Sequence, residues 1–117
     1  MDSSVLTLDP AAIGRLHRIG GEELVRQMAQ LFVQNASQRI AAAWEELEHR
    51  DFESIVKSMH ALKSSAENIG ADRLGQMAIR AESLADAQAM QPLEALLHEM
   101  DTEFQQVKTA LESGSVQ

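Results

Sequence analysis

Cysteine and tyrosine are absent from this 117-residue chain, and its aromatics are three phenylalanines and one tryptophan. Without cysteine there are no disulfides and no thiolate metal ligands, which suits a reducing compartment. The apolar fraction is nonetheless 44%, carried mostly by Ala, Leu, Ile and Met. Such side chains fit between helices, whereas a β-sandwich draws on Tyr, Phe and Thr. Long apolar runs are also missing: the longest, "IAAAW", is far too short to span a bilayer. The opening "MDSSVLTLDP" has neither a basic nor an apolar segment of a secretory signal. Basic residues are scarce as well, ten Lys and Arg against eighteen Asp and Glu, for a formal charge of -8. That balance repels phosphate backbones and anionic lipid surfaces. The expectation is a soluble cytoplasmic protein with no nucleic-acid or membrane partner.

What is present is helical punctuation. Two prolines and six glycines fall between apolar-periodic stretches. Asp9 and Pro10 open a short helix over residues 10–19, with Ile13, Leu16 and Ile19 apolar and Gly20 as its left-handed stop. A second helix runs over about 22–48, with Leu24, Met28, Leu31, Phe32, Ala36, Ile40, Ala43 and Leu47 at helical spacing. Asp51 caps a third that stops at Gly70, and a fourth covers about 72–87 with Leu74, Met77, Ala78, Ala81 and Leu84 inward. Beyond Pro92 a fifth carries Leu93, Leu97, Met100, Phe104, Val107 and Leu111 in the spacing of a bundle seam. The simplest assembly is all-α: an antiparallel up-down-up-down four-helix bundle with the short N-terminal helix as a lid. One domain accounts for residues 1–117, with an ordered core over about 6–112 and tails that have nothing to bury and are expected to be mobile.

One stretch carries chemistry: "SMHALKSSAENIGA", residues 58–71. At helical pitch, Ile55, Met59, Leu62, Ala66 and Ile69 form the core stripe, while His60, Lys63, Ser64 and Glu67 share a face turned away from it. Small neighbours, Ala61 and Ser64, leave that face open to a large partner. Imidazole is a good nucleophile whose pKa lies near neutrality. His17, His49 and His98 lack this setting and read as ordinary surface histidines.

These residues resemble the signature of histidine-containing phosphotransfer (HPt) domains: a histidine, then an aliphatic residue, a Lys or Arg, small residues and a glycine. Here they are His60, Leu62, Lys63, Ser64, Ser65, Ala66 and Gly70. The opening "LDPAAIGRLHRIGGEELVRQMAQLF" is similar too, and the likeness covers about residues 6–112. The resemblance implies a phosphorelay intermediate in which His60 accepts a phosphoryl group from a receiver-domain aspartate and passes it to another receiver. It implies Lys63 as a charge-neutralising neighbour and Glu82, on the following helix, as the group that bonds the other imidazole nitrogen. Ala61, Ser64 and Glu67 then belong to the surface that meets the partner. Expected partners are response-regulator receiver domains and a hybrid sensor kinase, the chain itself being a monomer. Mg²⁺ belongs to the receiver, so no cofactor and no metal are expected here. With no phosphate-cradling glycine loop there is no autokinase activity to expect. Where the family usually has Gly four residues after the histidine, this chain has Ser64. Its size is expected to limit the approach of a partner, with its hydroxyl turned back to the His60 carbonyl; the alternative is a hydroxyl that bonds a phosphate oxygen.

Three other readings compete. Di-iron bundles use paired Glu-x-x-His segments, but Glu46 and His49 form the single instance in the chain. Sensor-kinase dimerisation domains usually follow their histidine with an acidic residue, where this chain has Ala61. A non-catalytic adaptor with the same fold and an inert His60 is the remaining alternative.

Overall fold

The computed structural model describes residues 5–113, which form four helices: α1 (Pro10–Glu48), α2 (Phe52–Ile69), α3 (Asp72–Asp86) and α4 (Met90–Ser113). The links between them are two or three residues long, so successive helices must reverse direction. Each helix packs on its neighbours in the ring α1, α2, α3, α4, and α4 closes back on α1. This is the expected up-down-up-down bundle. No helix is long and apolar enough to cross a membrane among the described residues.

The two helices expected at the N-terminus are arms of one element. Asp9 caps it by accepting the Ala11 N–H at 3.0 Å, with Pro10 in the first turn. The break falls at Gly21 (φ 70, ψ -167) and not at Gly20. That backbone conformation is open essentially to glycine alone. Gly20 lies against Leu24 instead, where an added Cβ would stand 2.7 Å from the Leu24 Cβ.

Of the first arm, Ala12 and Ile13 are buried and Leu16 is half-buried, but Ile19, expected inward, is exposed next to the break. Leu31 is exposed too. Successive helical residues point about 100° apart, so only one of Leu31 and Phe32 faces the core. Phe32 does, its ring 6.4 Å from that of Phe104.

Asp51 starts α2 by accepting from the Ser54 N–H (3.2 Å) and hydroxyl (2.7 Å), bonds that hold its carboxyl below the usual range. Gly70 (φ 87) ends the helix. Ile55, Met59, Leu62, Ala66 and Ile69 are buried as the periodicity requires, and Ser58 is buried with them against α1. Its hydroxyl donates to Glu46 Oε1 at 3.2 Å.

Burial pushes the Glu46 carboxyl up, and the Ser58 bond pulls it back. Removing that bond in Ser58→Ala raises the folded-state pKa further. The resulting loss of stability belongs to the ionised form, about 1 kcal/mol at pH 7, and shrinks as the pH falls through the raised pKa and Glu46 protonates. Urea unfolding at pH 7 and pH 4 measures this. An equal loss at both would show that the carboxylate is not the partner that matters.

On α3, Leu74, Gly75, Ala78, Ala81 and Ala85 are buried, while Met77 and Leu84 are half-buried. These small residues let α3 lie close to α2: a Cβ on Gly75 would stand 3.7 Å from both the Ala66 Cβ and the Glu67 Cγ. The helix ends at Asp86, one residue earlier than the pattern suggests. In contrast, α4 begins two residues before Pro92, which its first turn tolerates because no helical acceptor waits there for an N–H. Leu93, Leu97, Met100, Phe104 and Val107 are buried on it, Leu111 half-buried, and Leu96 and Glu103 join the interior. Glu103 meets Arg73 of α3 at 3.6 Å.

The N-terminal segment is described from residue 5 onward. Arg73 donates from its backbone N–H to the Leu6 carbonyl (2.9 Å) and from Nη2 to the Val5 carbonyl (3.1 Å), so both residues are held. The expectation of mobility for residues 1–4 and 114–117 lies outside the described residues.

Candidate functional site

The α2–α3 hairpin builds the site. Asp51 and Gly70 fix the ends of α2, its apolar stripe fixes its rotation, and His60 is left on the outer face with 65% of its side chain exposed. Close packing at Ala66 and Gly75 sets the register of α3, and that register places Glu82 across from His60. His60 Nδ1 lies 3.7 Å from Glu82 Oε1, whose side chain is 32% exposed. This is ion-pair range and longer than a full hydrogen bond. With Nδ1 turned toward α3, Nε2 is the ring nitrogen that has no protein partner among the described residues.

Lys63 lies one turn further along and is half-buried. Glu67, four residues on and exposed, is well placed by spacing for an ion pair with it, yet none forms among the described residues. Beside His60 there is thus a cation with no carboxylate holding it. Ser64 is exposed, and among the described residues its hydroxyl makes no hydrogen bond, the expected return to the His60 carbonyl included. Ala61 is half-buried and adds no bulk. Glu67 marks the far end of the face: it is about two turns from His60, and its charge, after burial and the charge of Asp9, helps push the Asp72 carboxyl up. The structure therefore brings His60, Lys63, Ser64 and Glu82 together and leaves Glu67 at the margin.

The other histidines are placed differently. His17 is exposed on the first arm of α1, and His49 closes the end of α1 through its backbone N–H to Glu45. His98 packs on Trp44, ring centroids 4.7 Å apart, while the Trp44 Nε1–H donates to Asp101 Oδ2 at 3.1 Å. Glu46 of the Glu46–His49 pair is turned to Ser58. The contacts that sequence periodicity missed, Ser58 with Glu46 and Arg73 with Glu103, are polar pairs between helices, and nothing local in the sequence marks either residue as a partner of the other.

The Hpt domain family model matches residues 27–110, which include His60, Lys63, Gly70 and Glu82. Histidine-containing phosphotransfer protein 5 of Arabidopsis thaliana is 26% identical over 101 residues, spanning 84% of this chain and 64% of that protein. Among solved structures, histidine-containing phosphotransfer protein B of Pseudomonas aeruginosa PAO1 superposes with a TM-score of 0.87 at 22% identity, over 92% of this chain and 93% of that one. A putative histidine-containing phosphotransfer protein from rice superposes at 0.84 with 18% identity, over 96% and 82% of the two chains. At these identities the two superpositions speak for the fold.

Proposed function

The chain belongs to the Hpt domain family, and we propose that it is a cytoplasmic, monomeric phosphorelay intermediate whose phosphoacceptor is Nε2 of His60. The observation that carries this reading is the exposed imidazole, with Glu82 Oε1 3.7 Å from Nδ1 and Lys63, unpaired among the described residues, one turn away.

In the forward step the Nε2 lone pair attacks the phosphorus of a receiver's aspartyl phosphate, and the P–O bond breaks with its electrons returning to the aspartate carboxylate. The ring, keeping its Nδ1 proton, becomes a cation that faces Glu82. In the reverse step a receiver carboxylate attacks phosphorus, and the P–N bond breaks to release a neutral imidazole. No proton has to be found in either direction. The transferring group has a loose transition state, so positioning and charge neutralisation are the main requirements. Lys63 meets part of the second, and Mg²⁺ on the receiver supplies the rest. Ser64 stands on the approach side, where the family usually has glycine, and its size governs how closely a receiver docks.

The test is incubation of the purified chain with receiver domains phosphorylated by a small-molecule phosphodonor. Acid-labile, base-stable label on this chain is the expected result, and a chain that binds receivers without taking label is the inert adaptor instead. Lys63→Ala is expected to slow transfer by tenfold or so without unfolding the bundle. A preorganised charge contact of this kind is worth about 2 to 4 kcal/mol when buried, and less where water and Mg²⁺ share the task. Equal single-turnover rates for variant and parent would reduce Lys63 to a surface charge.

A further inference from the structure

Glu103 is a buried carboxylate that the proposed chemistry does not use. It sits on α4 with 5% of its side chain exposed, and Oε2 has no hydrogen-bond partner among the described residues. Oε1 faces Arg73 Nη1 at 3.6 Å. Arg73 in turn is gripped by the segment that precedes α1: Nη2 donates to the Val5 carbonyl at 3.1 Å, Nη1 approaches Thr7 Oγ1 at 3.4 Å, and the backbone N–H donates to the Leu6 carbonyl at 2.9 Å. Leu8 buries its side chain next to them, and the Asp9 N–H donates to the Gly70 carbonyl at 2.7 Å. Residues 5–9 thus form a strap across the α2–α3 turn, and the one cation paired with Glu103 among the described residues is the side chain the strap holds.

We infer that the strap is a latch on α4: its docking and the seating of α4 are thermodynamically coupled through Arg73 and Glu103. With the strap docked, the Val5 carbonyl and the Thr7 hydroxyl fix the guanidinium where Glu103 needs it, and the Leu6 carbonyl holds the Arg73 backbone. When the strap lifts, Arg73, whose side chain is already 40% exposed, gains rotamer freedom and further access to water, and Glu103 keeps a buried charge whose compensation has weakened. Leaving a buried charge uncompensated is unfavourable, more so here because one carboxylate oxygen has no hydrogen-bond partner among the described residues. Local opening of α4 relieves that charge by hydrating it. The coupling is reciprocal, so loosening α4 also releases the strap. A pull on the chain ahead of Pro10, or a partner bound to the strap, is in this way transmitted to α4. The route does not run through α2, whose backbone makes no close approach to that of α4.

Hydrogen exchange on the full chain tests the latch. Leu8→Asp lifts the strap by placing a charge where Leu8 is buried, and Leu8→Ala does so more gently if the aspartate variant does not fold. Either is expected to speed amide exchange in the Arg73-facing part of α4, around residues 100–107, by roughly tenfold or more, and to leave the middle of α2 unchanged. The same change made in a Glu103→Leu background is expected to leave α4 exchange as it was, because no buried charge remains to be compensated. An unchanged α4 in the parent background while the strap amides exchange freely would overturn the inference, and so would equal acceleration in both backgrounds.

Discussion

His60→Gln abolishes phosphoryl transfer to this chain while its helix content and unfolding midpoint stay close to those of the parent. The first half follows from the site: glutamine preserves a polar side chain of similar reach but offers no nucleophilic nitrogen, and none of the other histidines stands beside an unpaired lysine on an open face. The second half follows from exposure. With 65% of the side chain in water, His60 contributes little to packing, and its 3.7 Å approach to Glu82 is a partly solvated pair of small net worth. Phosphopeptide mapping after incubation with phosphorylated receivers checks both halves. Label on His17, His49 or His98, or residual label on the glutamine variant, places the acceptor elsewhere. Collapse of the bundle would mean that the imidazole holds the α2–α3 hairpin together, a role its exposure argues against.

That His60 was legible before any coordinates rests on a property of helices: rotation about the axis is fixed by the apolar stripe, and Ile55, Met59, Leu62, Ala66 and Ile69 define that stripe without ambiguity. Once α2 is oriented, the outward direction of His60 follows. The position of Glu82 is less local. It depends on how α3 slides along α2, which is set by the contact of Gly75 with Ala66, and spacing along one chain does not encode that contact. Ile19 and Leu31 fail for a related reason. Hydrophobicity marks them as candidates for the core, but the break at Gly21 and the choice of Phe32 over Leu31 decide which faces are covered. Glu103 is least legible of all, since a glutamate on an amphipathic helix reads as solvent-facing unless its partner, Arg73, is known to stand opposite.

Gly70→Ala is expected to be the most destabilising small substitution in the chain, by about 3 kcal/mol, and to leave the chemistry at His60 in place. Two costs add. The backbone at φ 87 is left-handed, a conformation that costs a residue with a Cβ about 1 kcal/mol or more relative to glycine. The new Cβ would also stand 2.7 Å from the Ala12 Cβ and 2.9 Å from the Asp9 carbonyl oxygen, and neither belongs to a flexible side-chain end that can swing aside. Relief requires the start of α1 to withdraw, which breaks the Asp9 N–H bond to the Gly70 carbonyl and uncovers Leu8, Ala12 and Ile13. Losing a buried backbone bond costs about 1 kcal/mol by itself. Urea unfolding measures the total, and a companion Ala12→Gly change separates the causes by removing the closer clash while keeping the left-handed strain. If Gly70→Ala costs no less in the Ala12→Gly background than in the parent, the contact with Ala12 is not what the glycine protects, and the Asp9 carbonyl and the left-handed backbone carry the cost. Transfer per folded molecule, measured at a temperature where the variant is still folded, is expected to match the parent. His60 lies more than two helical turns from Gly70, so the glycine of the HPt-like signature serves the seating of α1 on the α2–α3 turn, and a variant that stays folded but takes no label would instead tie Gly70 to the chemistry.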